Sequence, residues 1–111
     1  MQAVLIHPER DWYVIGHPDD EHGQYQATRL AVDTTIIERV PFQLAGHSLE
    51  AWVDEEGLLR RLPYNPVASW LAFGPSLDGI LVGRALITAR DMAPLDAEQV
   101  SIITSALEAR Q

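Results

Sequence analysis

Between Ala51 and Pro66 the chain has almost no slack. Ala51-Trp52-Val53-Asp54 finishes a strand, Glu55-Glu56-Gly57 turns, a short apolar connector runs to Leu62, and Pro63-Tyr64-Asn65-Pro66 opens a helix. The strand is legible because Ser48 to Asp54 alternates, with Leu49, Ala51 and Val53 on one face and Glu50, Trp52 and Asp54 on the other. The helix start is legible because asparagine caps free amides and proline at the first helical position gives up no hydrogen bond. At the turn, Gly57 is expected to supply a positive φ and the carboxylates to accept backbone amides.

Two apolar runs, 2–7 and 12–16, flank Pro8-Glu9-Arg10-Asp11 and suit a hairpin. Residues 20–31 are polar, with a short helix expected from about Gln24 to Ala31. The β-branched run Thr34 to Val40 reads as a strand ended by Pro41. It should pair antiparallel with the strand ending at Asp54, through a turn at Ala45-Gly46-His47. Trp52 then lies on the polar side, where a helix or loop covers it or it stands as an exposed anchor.

The helix opened by Asn65 carries Val67, Trp70 and Leu71 on one face and stops at Gly74-Pro75. Ile80 to Ile87 is almost wholly apolar and reads as a central strand with Arg84 as its one charge. Asp96 caps a last helix, with Gln99 placed to bond back, a Leu95–Val100 staple and an inward stripe of Val100, Ile103 and Leu107. The expected fold is α+β: one domain over 1–111, with a mostly antiparallel or mixed sheet of about five strands. Two to three helices are expected on one face.

Composition excludes several classes of function. The chain has 111 residues, 47% hydrophobic and 22% charged, enough for one core and too short for two. Without cysteine there is no disulfide framework and no thiolate metal site. The net charge of -8 and eight scattered arginines without a lysine leave no basic stripe, so direct nucleic-acid binding is not expected. The apolar run Ala3 to Ile6 is too short for a signal peptide or a membrane span, and a cytoplasmic location follows by default.

Ile15-Gly16-His17-Pro18-Asp19-Asp20-Glu21 resembles the signature of the LmbE-like zinc-dependent deacetylases. That resemblance implies His17 and Asp20 as zinc ligands and Asp19 as the base that activates water. The same family takes a third ligand from a later histidine-rich motif, and here the only histidine after residue 22 is His47. His7 stands at the far end of the hairpin, some 15 Å away at roughly 3.3 Å per residue.

A longer resemblance runs from Val40 to about residue 105. Val40-Pro41-Phe42, Asp54-Glu55-Glu56-Gly57, Leu62-Pro63-Tyr64-Asn65-Pro66, Gly79-Ile80-Leu81-Val82-Gly83 and Leu95-Asp96-Ala97-Glu98-Gln99 follow one another in order. Together they are similar to a family of small domains of unknown function, the one catalogued as thirty-eight forty-six, which recurs in phages and mobile elements. Where that family has a leucine-rich helix before the third strand, residues 20–33 are polar.

The resemblance implies an accessory protein of a phage or mobile element, and the residues add an acidic rim for binding a protein partner. That rim comprises Trp52, Asp54, Glu55, Glu56, Tyr64 and Asn65. In this reading the protein acts without catalysis, metal or cofactor, as a host-defence antagonist or regulator. The alternative is a zinc-dependent amide hydrolase using His17, Asp19 and Asp20. A third class is a self-associating module with Trp12, Trp52 or Trp70 in a homodimer interface.

Overall fold

The Asp54–Pro66 unit sits at the edge of a sheet that is roofed on both sides. A computed structural model describes residues 1–76 and 79–110 of the chain. The expected domain range of 1–111 also takes in Leu77, Asp78 and Gln111, which lie outside the described residues. In chain order the elements are β1 (Gln2–Ile6), β2 (Trp12–Gly16), α1 (Glu21–Val32), β3 (Ile37–Leu44), β4 (His47–Asp54), α2 (Pro66–Phe73), β5 (Ala85–Ala89) and α3 (Ala97–Arg110). The five strands lie in the order β2-β1-β5-β4-β3, and each neighbouring pair is antiparallel. This is the expected α+β fold.

Both hairpins form as expected. β3 and β4 join through Ala45 and Gly46, both at positive φ (49° and 83°), the handedness that suits a two-residue hairpin. Pro41 does not end β3, which continues to Leu44 with Pro41 opposite Glu50. It is tolerated because β3 is an edge strand, where a missing N–H can face outward.

The helices do not share one face. Val4, Ile6, Leu49, Ala51, Val53 and Ile87 pack against Val67, Leu71, Ile103 and Leu107 of α2 and α3. Ala3, Leu86 and the half-buried Leu5, Ile15 and Trp52 pack against Val32 and Ala31 of α1. The expectation of one roof came from the short loops and hairpin signals, which do not say on which side each helix packs. In fact α1 buries Gln24, Thr28 and Val32, using a small polar interior to cover its side of the sheet.

That helix starts earlier than Gln24 because Asp20 caps it, its carboxylate accepting the Gly23 amide at 2.7 Å. α2 is capped by Asn65, which accepts from the Ala68 amide, and ends at Gly74 with φ 71°. α3 has the expected capping box: the Gln99 amide donates to Asp96 Oδ1, and the Asp96 amide donates to Gln99 Oε1.

The strand expected at 80–87 lies later. β5 begins at Ala85, leaving Arg84 just outside it, and the segment before it makes only an isolated bridge, Val82 with Tyr64. Its backbone is occupied elsewhere. The Asn65 amide donates to the Leu81 carbonyl, and the Gly83 amide to the Pro63 carbonyl.

Candidate functional site

The acidic turn is built from inside. Asp54 is buried, and its Oδ1 accepts the Glu56 amide at 2.8 Å while Oδ2 is paired with the Arg60 guanidinium. Backbone bonds from the Arg60 amide to the Glu56 carbonyl and from the Leu62 amide to the Gly57 carbonyl close one helical turn. Gly57 does not carry the expected positive φ; that falls on Arg61 at 56°. A β-carbon at Gly57 would instead lie 2.6 Å from Val82 Cγ2, so the position needs glycine for close approach.

Asn65 is fully buried and uses its whole amide. Nδ2 donates to the carbonyls of Ile6 and Gly83 while Oδ1 caps α2. Asp54 and Asn65 therefore act within the fold and show little to a partner. Of the remaining rim residues, Glu55, Glu56 and Tyr64 are exposed and Trp52 is half-buried.

These side chains do not converge on one surface. Glu56 and Arg60 face a groove shared with Arg29, Leu30 and Asp33 at the end of α1. Tyr64 lines a groove with Trp70, Pro75 and Arg110 beside α2. Trp52 lies under α1, its indole N–H donating to Thr88 Oγ1 at 3.0 Å, so the covered arrangement is the one found. What the turn does project is Leu58 and Leu59, 71% and 82% exposed, between Glu56 and Arg60.

A second cluster gathers around Glu50, which alternation sets on the polar side of its strand. Glu50 is 1% exposed; Oε2 accepts from Arg39 at 3.2 Å and Oε1 from the Met92 amide at 2.9 Å. Met92 and Asp91 both hold left-handed backbone conformations, at φ 63° and 58°. His17, also buried, lies 2.9 Å from the Met92 carbonyl through Nε2, while its Nδ1 has no hydrogen-bond partner among the described residues. A buried glutamate and a buried histidine thus clamp the two peptide units that flank Met92, in a shape that non-glycine residues rarely adopt.

Beside this clamp a shallow groove of ≈ 400 Å³ is lined by Glu21, Gln24, Tyr25, Arg39, Trp52, Asp91 and Met92. One faint signal for the cluster stood in the sequence: the acidic Glu50 set between Leu49 and Ala51 in the middle of a strand.

The zinc-like motif has other employment in this arrangement. Asp20 caps α1, the Asp19 carbonyl accepts from Gln24 Nε2, and His17 reaches Met92. Among the described residues, no three His, Asp or Glu side chains gather closely enough to hold a metal ion. His7 and His17 lie at opposite ends of the β1–β2 ladder, as the hairpin register requires. No described helix is long and apolar enough to cross a membrane.

A family model, described as a domain of unknown function (DUF3846), matches residues 1–108. No curated protein and no solved structure is matched by the chain.

Proposed function

This chain belongs to the DUF3846 family, and from that premise we propose that it is a protein-binding module, acting without catalysis as an accessory protein of a mobile element. The observation that carries the reading is the Leu58–Leu59 projection. Two adjacent leucines lose most of the benefit of burial, roughly 1.5–3 kcal/mol for each fully buried side chain. They are nonetheless presented on a turn stiffened by the buried Asp54, its Arg60 partner and the close approach of Gly57 to Val82. Exposed Glu55 and Glu56 precede them, and exposed Arg60 and Arg61 follow them, Arg60 paired with the buried Asp54. The partner this surface fits has an apolar pocket bordered by charges of both signs.

The original rim changes accordingly. Glu55 and Glu56 remain in it, Leu58 and Leu59 join it, and Asp54 and Asn65 become its internal support. Tyr64 and Trp52 serve other surfaces.

The test compares proteins retained from host extract by the wild-type domain and by a Leu58→Ser/Leu59→Ser variant. Both replacements are exposed, so the variant should fold and melt as the wild type does. A specific protein captured by the wild type and lost from the variant is expected. Equal capture by both forms, or nothing retained by the wild type, would remove this surface from the function.

A further inference from the structure

The two edges of the sheet are treated differently. β3 carries Glu38, Arg39 and Pro41, the kind of residues that keep an edge from pairing with another chain. β2, reading Trp12-Tyr13-Val14-Ile15-Gly16, carries no charge and no proline, and its ladder with β1 runs without a bulge. Tyr13 and Val14 are 49% and 38% exposed on it. It is a short, uncharged, unprotected edge in a chain whose net charge is -8.

We propose that β2 is a self-association edge, through which two copies of this chain pair antiparallel about a twofold axis at Val14. The backbone phase supports this register. The His7 amide donates to the Asp11 carbonyl and the His17 amide to the Met1 carbonyl, so the odd-numbered residues of β2 bond inward to β1. In an antiparallel ladder the alternate residues then turn their N–H and C=O outward: Trp12, Val14 and Gly16. A twofold axis at Val14 sets Val14 against its own copy and Trp12 against Gly16. Every outward amide then meets an outward carbonyl.

Side chains agree with the backbone. Trp12 and Val14 lie on the face roofed by α2 and α3, whereas Ile15 lies on the α1 face with Tyr13. Pairing continues both faces into one ten-stranded sheet and lays Tyr13 of one copy against Ile15 of the other. No like charges stand opposite within the paired stretch. Beyond it, Arg10 of one copy approaches the Asp19–Asp20 corner of the other, with Glu9 and Asp11 the like charges beside it. Such an interface is isologous and closes at two copies.

The experiment measures solution mass by light scattering over a dilution series, together with amide exchange of the wild type by NMR. The expected mass is twice the 12.4 kDa of the chain, with slow exchange at Trp12, Val14 and Gly16. Val14→Lys places two ammonium groups opposite each other and should halve the mass while leaving the circular dichroism unchanged. A wild type that stays monomeric overturns the proposal, and this is also the outcome if the edge serves a strand of another protein. A dimer whose three outward amides exchange freely, or one that survives Val14→Lys intact, overturns it equally.

Discussion

At Gly57 a β-carbon would meet Val82 Cγ2, whereas at Gly46 it would meet nothing within 4 Å but would have to adopt φ +83°. The first glycine is needed for space and the second for backbone shape. Gly57→Ala should destabilise the domain by about 1–3 kcal/mol through overpacking. The double variant Gly57→Ala/Val82→Ala should recover part of that loss in thermal melts. Gly46→Ala, by contrast, should cost about 1–2 kcal/mol that no neighbouring truncation relieves.

Asn65 is the more exacting position. Asn65→Ala removes a cap and strands two internal carbonyls, an expected loss of about 2–4 kcal/mol by denaturant titration. The cap was legible in the sequence because Asn-Pro before an apolar run has one dominant meaning. The two carbonyl contacts were not, since Ile6 and Gly83 are distant in sequence. The burial of Glu50 was hidden for a related reason: alternation sorts residues by face and cannot tell whether the second face meets water or another helix.

Among the elements, helix starts were read best, because caps depend on residues a few positions apart. The capping box of α3 fell where it was expected. The start of α1 was hidden by its own residues, since His17-Pro18-Asp19-Asp20-Glu21 matches a metal-site signature as readily as a helix entry. The two meanings separate experimentally. As a cap, Asp20→Asn should keep the melting temperature and Asp20→Ala should lose about 1 kcal/mol, with zinc shifting neither. If stability depended on added zinc and fell in Asp20→Asn, metal binding would be the residue's role. Strand limits were less legible. The apolar run at 80–87 suggested one strand, yet its first half is drawn away to bond with Pro63, Asn65 and Ser69.

Across the whole molecule the two roofs are unequal. α2 and α3 cover a core that includes Val67, Leu71, Ile103 and Leu107, while the α1 side closes over Ala3, Leu86 and Val32 with polar Gln24 and Thr28 beneath the helix. Less buried apolar surface means a smaller cost of local opening. Hydrogen exchange should therefore run faster through α1 than through α3; equal protection would mean that the polar interior of α1 holds as firmly as the larger core. The family resemblance was legible from residue 40 onward and the match extends to residues 1–108, so the polar helix belongs to the family's domain.

Because both broad sides of the sheet are roofed, a partner can reach the strands themselves only at the perimeter. That separates tolerance from recognition along the chain. In a saturation library sorted once for soluble abundance and once for partner capture, scores should diverge at the rim positions Tyr13, Val14, Leu58 and Leu59. They should fall together at Glu50, Asn65 and Thr88, where losing the fold and losing the contact are one event.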